Sequence, residues 1–199
     1  MELIKRGAEA ELFKTAWHGL HAVKKVRIKK AYRDRRLDNR IRATRTKIEA
    51  MLLHKAKLLG IRTPTIFKVD LEKNELLVEY IDGIKAKECI EKNISLCKKI
   101  AKDIAMLHNA GLIHGDLTMD NIIVVNKEPV LIDFGLGFYS HKIEDKATDM
   151  LNLKKSLLAL KPELKKEWNA IMRYYAKHAH KGKEIVKRMQ HIESRVRYI

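Results

Sequence analysis

The first part of the chain is built from short apolar or alternating segments. Residues 3–4, 12–13 and 22–28 have this character, and Gly7 and Gly19 interrupt them. Alternation of apolar and polar positions is typical of strands that are buried on one side. The pattern therefore predicts a small antiparallel sheet at the start of the chain.

A helical period replaces this alternation over residues 40–60, where Gly60 is placed as a C-terminal stop. The apolar positions that fall near one stripe are Ile41, Ile48, Leu52 and Leu59. Two further segments, residues 65–69 and 75–81, predict another hairpin. A turn at residues 82–83 then ends this strand-rich half.

The second half is mostly helical. Ser95 is suited to cap a helix that stops at Gly111. The apolar face of that helix consists of Leu96, Ile100, Ile104 and Leu107. The two short strands and two later helices that the pattern predicts are 122–125, 130–132, 151–160 and 164–175. We therefore predict one α+β domain, with a strand-rich N-lobe (about residues 1–81) and a reduced, mostly helical C-lobe (about residues 82–199).

The composition narrows the class of protein. No apolar run approaches the roughly 20 residues of a membrane span, and the first residues lack the apolar region of a signal peptide. We therefore expect a cytoplasmic protein without a membrane partner. Cys89 and Cys97 are the only cysteines, and they do not form a CxxC pair. We expect both to be reduced.

Positive charge is concentrated in two stretches of the chain. The formal net charge is +17 at pH 7, and residues 24–47 contain twelve Lys or Arg against two acids. The basic positions near the end are Lys181, Lys183, Lys187, Arg188, Arg195 and Arg197. Such charge attracts polyanions or an acidic protein partner. A solvated, thermostabilising face is the alternative.

A polar loop between a helix and a short strand has the sequence HGDLTMDN, at residues 114–121. Asp116 precedes Asn121 by five positions, which matches the catalytic loop of kinases. In that loop the Asp orients or deprotonates the attacking oxygen, and the Asn binds metal. For this segment alone, a turn rich in Asp and Asn is the alternative interpretation.

The sequence IDFG, at residues 132–135, follows the second short strand. Asp133 is placed to coordinate a Mg²⁺ that bridges nucleotide phosphates. Two short matches in the correct order are much stronger than either match alone. Together they predict an ATP-dependent phosphoryl-transfer centre.

A phosphoryl-transfer centre of the kinase type also needs a lysine on a strand, and the segment AVKK at residues 22–25 contains two lysines. Kinases pair this lysine with ATP phosphates and with a helix glutamate, for which Glu49 is the candidate. Side chains alternate along a strand, so only one of Lys24 and Lys25 can face the cleft. The spacing alone does not choose between them.

The nucleotide loop departs from the kinase pattern. The segment GAEAELF, at residues 7–13, has one glycine, Gly7, where kinases usually have G-x-G-x-x-G. The N–H groups expected over the phosphates are those of Ala8, Glu9 and Ala10. We expect adenine to contact the carbonyl of Glu79 and the N–H of Ile81, where the two lobes join.

Together these motifs resemble the atypical kinase subunit family of the KEOPS (EKC) complex, within the protein-kinase-like superfamily. Besides HGDLTMDN, the segments that carry the resemblance are GAEA at 7–10, KVRIKKAYR at 25–33, RTKIEA at 45–50, VEYIDG at 78–83, IDFGLGF at 132–138 and EDKATD at 144–149. The family's pattern favours Lys25 over Lys24 as the lysine that pairs with ATP phosphates. Lys29 stands where the family usually has proline.

The resemblance implies a two-lobed protein-kinase-like fold that binds ATP and Mg²⁺. It also implies serine autophosphorylation or ATP hydrolysis, in support of threonylcarbamoyladenosine (t6A) modification of tRNA. In these roles Asp116 is the base, Asn121 and Asp133 bind Mg²⁺, and Lys25 binds ATP phosphates. The implied partners are the threonylcarbamoyltransferase subunit and the small regulatory subunit of KEOPS, with tRNA reached through the complex.

The basic residues are then expected to contact tRNA or an acidic face of a partner. They comprise those between Arg27 and Arg45 and those of the C-terminal tail from Ile192. Only fifteen positions separate Asp133 and Asp149, and no APE sequence follows. We therefore expect partners, rather than the usual peptide platform, to complete the substrate site.

Three alternatives stay open at this point. They are an aminoglycoside-type small-molecule kinase, a RIO-type ribosome-associated kinase, and an RNA-binding scaffold with an inactive kinase fold. The first two assign the same roles to Asp116 and Asp133. Substitution of Asp116 by alanine would separate an enzyme from the scaffold.

Overall fold

The computed structural model describes residues 1–196 of the chain. Its first part is a five-stranded antiparallel sheet with the strand order β1-β2-β3-β5-β4. The strands are β1 (Glu2–Arg6), β2 (Ala10–Trp17), β3 (Leu20–Arg27), β4 (Ile66–Asp70) and β5 (Glu75–Glu79). The central strand β3 thus has a neighbour on both sides, which fixes the orientation of its side chains.

A long helix, α1 (Arg35–Leu58), follows β3 and packs against β4 and β5. It begins five residues earlier than predicted, because the Asp34 side chain accepts hydrogen bonds from the backbone N–H groups of Arg36 and Leu37. Its buried positions are Asp38, Thr46, Glu49, Ala50, Leu52, Leu53 and Ala56. Leu59 was predicted in the buried stripe, but it is exposed.

The second part of the molecule begins with one long helix and several short elements. These are β6 (Ile84–Lys85), α2 (Ala86–Cys89), α3 (Ile94–Asn109), β7 (Leu112–Ile113), a 3-10 turn (Met119–Asn121), β8 (Ile122–Val125), β9 (Glu128–Leu131) and β10 (Phe138–Tyr139). Strands β6, β8 and β9 form one small sheet, and β7 pairs with β10.

Helix α3 carries the predicted buried face, but the predicted N-cap is wrong. Asn93, not Ser95, caps the helix, because its side-chain oxygen accepts the Leu96 N–H at 3.1 Å. Both residue types are good caps. The apolar pattern located the helix but did not distinguish between the two positions.

Three helices complete the described chain: α4 (Ile143–Leu160), α5 (Lys165–His178) and α6 (Gly182–Val196). α4 begins at Ile143 and not at residue 151, because its first turns bury polar groups such as Asp149 that an apolar pattern does not reveal. α6 was predicted only as a basic stretch. It buries Ile185 and Met189, and the predicted basic residue Arg197 lies outside the described residues.

One hydrophobic core joins the two parts. Leu52 from α1, Phe134 after β9 and Tyr175 from α5 belong to the same buried cluster. The predicted α+β organisation, with an antiparallel sheet followed by a helical part, is therefore confirmed. Among residues 1–196, no helix is long and apolar enough to cross a membrane, and both cysteines are free.

Candidate active site

Lys25 joins three segments that are far apart in the chain. Its Nζ donates to Glu49 Oε1 on α1 at 2.7 Å and to Asp133 Oδ1 after β9 at 2.6 Å. Lys24 lies on the other face of β3 and pairs with Glu75 at 2.8 Å. The alternation of side chains along β3 thus directs Lys25, and not Lys24, toward Glu49 and Asp133.

The charges in this group stabilise one another. Burial disfavours the charged form of Lys25, but the carboxylates of Glu49 and Asp133 outweigh burial and raise its pKa above the ordinary value. Burial likewise opposes the charge of Asp133, yet Lys25 holds the pKa of Asp133 below its usual range. The lysine is therefore a cation and the aspartate an anion at neutral pH.

Asp133 has an unusual backbone conformation, with φ at +60°. Its Oδ1 also accepts the Gly135 N–H at 3.1 Å. A Cβ on Gly135 would lie 2.9 Å from Asp133 Oδ1 and 3.0 Å from Lys25 Nζ. The glycine therefore leaves the space that this pair of charges occupies.

Within the loop HGDLTMDN, Asp116 and Asn121 are joined by hydrogen bonds. Asn121 Nδ2 donates to the Asp116 carbonyl at 2.8 Å and to Asp116 Oδ2 at 2.9 Å. Because the amide nitrogen makes both bonds, the Asn121 Oδ1 oxygen is the atom oriented away from Asp116. Asp120, between them, instead pairs with Lys85 and Lys87 at 2.9 and 2.7 Å.

Asp149 of α4 fixes the backbone of this loop. Its Oδ2 accepts the His114 N–H at 2.7 Å, and its Oδ1 accepts the Gly115 N–H at 2.9 Å. Burial opposes the charge of Asp149, but the hydrogen bonds from the His108 side chain and from the His114 N–H keep the pKa of Asp149 low. His108 in turn contacts the Tyr175 hydroxyl at 2.6 Å through Nδ1.

His114 links the two motifs. Its Nε2 lies 3.0 Å from the Ile132 carbonyl, which can only accept, so Nε2 carries the proton. Its ring packs on Phe134, with 4.4 Å between ring centroids. Burial lowers the pKa of His114, so the ring is neutral at physiological pH. The segments that carry Asp116 and Asp133 are thus held in a fixed relation.

The predicted nucleotide loop is a tight turn between β1 and β2. Gly7 N–H donates to the Ala10 carbonyl at 2.9 Å, and the Ala8 carbonyl accepts Lys30 Nζ at 2.5 Å. The Glu9 carboxylate pairs with Arg45 at 2.6 Å. The turn is therefore tied to α1 and to the segment before it, and its contact with phosphates stays a prediction.

The predicted adenine contacts lie where β5 ends. The Glu79 side chain accepts hydrogen bonds from Thr65, at 3.0 Å from its backbone N–H and 2.7 Å from its hydroxyl. Tyr80 N–H donates to the His21 carbonyl at 3.0 Å. The segment leading to Ile81 is thus anchored to β3 and to Thr65, the residue before β4. The roles of the Glu79 carbonyl and the Ile81 N–H stay predictions.

Sequence reasoning missed two residues of this site. Arg27 contacts Glu49 Oε2 through Nη2 at 2.6 Å, and Asp149 accepts hydrogen bonds from the backbone of the loop HGDLTMDN. Arg27 lies two positions after Lys25 on the same face of β3, so alternation could have revealed it. Asp149 belongs to the EDKATD segment at residues 144–149, but only the placement of α4 shows what it contacts.

The fold and the site together define a protein-kinase-like protein. A family model described as RIO domain matches residues 8–187 of the chain. The chain belongs to the RIO domain family. The match covers strands β2 to β5 of the sheet and the helical part as far as the beginning of α6, while β1 precedes it.

Curated relatives from archaea align over nearly the whole chain. One from Methanobrevibacter smithii is 42% identical over 198 residues, and one from Methanococcus vannielii is 40% identical over 199 residues. Both are named "Probable bifunctional tRNA threonylcarbamoyladenosine biosynthesis protein". The alignments cover 98% and 99% of this chain but 36% of each relative, so the chain spans about a third of their length.

A solved structure has the same fold. It is WaaP in complex with acyl carrier protein, with a TM-score of 0.68 and 14% identity, and the match covers 97% of this chain and 84% of that one. At this identity the likeness shows the fold alone. The resemblance inferred from the motifs is confirmed: the chain is protein-kinase-like, and its relatives are named for t6A biosynthesis.

Proposed function

We propose that the chain is an ATP-dependent atypical serine/threonine kinase or ATPase that supports t6A modification of tRNA. The observation that carries the proposal is the position of Lys25, which bonds to both Glu49 and Asp133. Kinases place a strand lysine that is paired with a helix glutamate, and the aspartate of the DFG sequence, at the nucleotide phosphates and their Mg²⁺.

The residues present fit Mg²⁺ and ATP. Mg²⁺ takes oxygen ligands and is commonly bound by one or two carboxylates together with substrate phosphates. The Asp133 carboxylate and Asn121 Oδ1 are such oxygens. Among residues 1–196, no group of three or more His, Cys, Asp or Glu side chains could hold a metal by itself. When bound, the ion would neutralise charge on the phosphates.

The chemistry assigned to this chain's own residues is simple. The oxygen of an attacking hydroxyl or water bonds to the γ-phosphorus of ATP, and the bond between that phosphorus and the oxygen of the leaving ADP breaks. Asp116 accepts the proton that the attacking hydroxyl or water loses. Lys25 binds the phosphates. The hydrogen bond from Asn121 Nδ2 to Asp116 Oδ2 orients the carboxylate, and Asp149 holds the loop that carries it.

The names of the relatives support a biological setting for the chain. Their names describe bifunctional proteins, and we infer that this chain corresponds to one of the two functional parts. The threonylcarbamoyltransferase and small regulatory subunits of KEOPS would then be its partners in the cytoplasm. The net charge of +17 suits contact with tRNA within such a complex.

The family match favours a second candidate, a RIO-type kinase of the ribosome. It would use the same Asp116 and Asp133. The relatives that align over nearly the whole chain are named for a tRNA modification, which is why we place tRNA first. Stimulation of ATP turnover by tRNA, and not by ribosomal particles, would separate the two candidates.

Phosphate release from ATP tests the proposal. It should be measured for the chain alone, for the chain with its two proposed partners, and for that complex with tRNA. We expect turnover to rise at each addition. In the complete mixture, Asp116→Asn should abolish release, while Asp120→Asn should retain it, because Asp120 pairs with Lys85 and Lys87 instead. Equal release by both variants would refute the proposed role of Asp116.

A further inference from the structure

Arg27 is a buried cation beside the candidate site that has no role in the reaction described above. It follows Lys25 by two positions on β3, so both side chains lie on the same face of the sheet. The Arg27 side chain is 4% exposed. Its backbone N–H donates to the Asn74 carbonyl at 3.2 Å, which fixes the end of the strand.

The guanidinium of Arg27 spans two positions of α1. Nη2 donates to Glu49 Oε2 at 2.6 Å, and Nε donates to Thr46 Oγ1 at 3.2 Å. The Thr46 hydroxyl donates in turn to the Arg42 carbonyl, at 2.9 Å. Two separate nitrogens of one planar group thus define the orientation of Arg27, which a lysine could not reproduce.

Glu49 has one cation on each oxygen. Lys25 binds Oε1 and Arg27 binds Oε2. Lys25 also binds Asp133, so it is shared between two carboxylates, while Arg27 pairs with Glu49. A phosphate arriving at Lys25 would compete with Asp133 for the same ammonium group. Without Arg27, any lengthening of the Lys25–Glu49 contact would leave a carboxylate that is 3% exposed poorly compensated.

We propose that Arg27 is a positioning residue of the phosphate site. It holds Glu49 in place and neutralised independently of Lys25, so that Lys25 can pass from Asp133 to a nucleotide phosphate. The inference rests on the proposed function, and Arg27 acts through Glu49 without touching the nucleotide. The Gly135 position supports this geometry, since a Cβ there would lie 3.0 Å from Lys25 Nζ and 3.5 Å from Arg27 Nη2.

Binding of Mg·ADP, measured by calorimetry, tests the inference without requiring turnover. Arg27→Gln should weaken binding about tenfold. Lys24→Gln is the matched control, because it removes one positive charge from the opposite face of the same strand, where Lys24 pairs with Glu75. It should stay within about twofold of the wild type. Equal binding by the two variants would overturn the inference.

A double-mutant cycle shows whether Arg27 acts through Glu49. If it does, adding Arg27→Gln to Glu49→Gln causes little further loss of affinity, because the intermediary is already gone. Losses that multiply would show that Arg27 contacts the nucleotide directly, and the positioning role would be wrong. Arg27→Lys keeps the charge on Glu49, and it should recover part of the affinity.

Two milder variants keep the test decisive if Arg27→Gln does not fold. Arg27→Lys and Thr46→Val each remove the Nε contact, and each should weaken Mg·ADP binding about threefold. Wild-type affinity in both folded variants would overturn the inference. Failure of the wild-type protein to bind Mg·ADP is a different result, since it would overturn the proposed function and the inference with it.

Discussion

Two groups of charged side chains near the site have similar geometry but different surroundings. The buried charge cluster consists of Lys25, Arg27 and Glu49, with contacts of 2.6–2.7 Å. Asp133, whose side chain is 40% exposed, contacts Lys25 at the edge of this cluster. The exposed charge group consists of Asp120, Lys85 and Lys87, with contacts of 2.7–2.9 Å. Glu49 is 3% exposed and Asp120 is 49% exposed.

Similar contact distances in the two groups do not imply similar contributions to stability or to nucleotide binding. An exposed pair exchanges solvation for a weak attraction that salt screens. A buried carboxylate has lost its water, and removing it leaves its partner cations uncompensated. The buried charge cluster should therefore govern both stability and nucleotide binding, and the exposed charge group should govern neither.

The largest effect is expected from Glu49→Ala. It leaves Lys25 and Arg27 buried without the carboxylate between them, and it should lower the free energy of unfolding by about 3–5 kcal/mol. Urea denaturation measures this loss. Asp120→Ala is the control and should unfold at the same urea concentration as the wild type. A similar loss in both variants would contradict the distinction by burial.

Lys25→Met should act on activity more than on stability. Phosphate release should fall about 10²-fold, or about 2.7 kcal/mol in barrier height, because the phosphates lose their cation. Glu49 keeps Arg27, so the urea midpoint should fall less than it does in Glu49→Ala. Lys24→Met should leave both quantities near wild type. Retained turnover in Lys25→Met would argue against a phosphate role for this lysine.

A glycine in the catalytic loop provides a smaller, steric test. Gly115 and Gly19 both have φ of +81°, but a Cβ on Gly115 would lie 2.1 Å from the Leu136 carbonyl, while nothing lies within 4 Å of a Cβ on Gly19. Gly115→Ala should therefore destabilise the protein by roughly 1–3 kcal/mol more than Gly19→Ala. Thermal unfolding of the two variants measures the difference, and equal melting temperatures would refute the close approach.

The smallest effect concerns pH. The folded pKa of Asp149 lies below its unfolded value near 3.8, so its contribution to stability is complete above that pH and is lost as pH falls through the folded pKa. Asp149→Asn should lower stability at pH 7 and flatten its decline below about pH 4. Urea midpoints between pH 7 and pH 2.5 measure this, and an unchanged slope would contradict the charge assigned to Asp149.

Much of the fold could be predicted from periodicity, because most of its helices and strands bury apolar side chains at regular intervals. At two helix starts the prediction failed because buried positions there are polar. The start of α1 buries Asp38, and the start of α4 buries Asp149, so neither produced an apolar signal. The mostly charged α6 buries Ile185 and Met189, which a strongly basic sequence concealed.

Spacing along the chain was enough to select Asp116, Asn121 and Asp133 as candidates, and their roles stay predictions. Contacts between distant segments were not predictable in the same way. The Asp149 bond to Gly115 spans 34 positions, and it depends on how α4 packs. Arg27 is an intermediate case. Alternation along β3 predicts that its side chain lies on the same face as Lys25, but it does not predict the contact with Glu49.

The most direct test of the central claim is Mg²⁺-dependent ATP binding, measured by calorimetry with a slowly hydrolysed ATP analogue. Three proteins are compared: the wild type, Asp133→Asn and Asp120→Asn. We predict that the wild type and Asp120→Asn bind the analogue more tightly when Mg²⁺ is present, and that Asp133→Asn loses this dependence on Mg²⁺. The same Mg²⁺ dependence in all three proteins, or in none of them, would contradict the account.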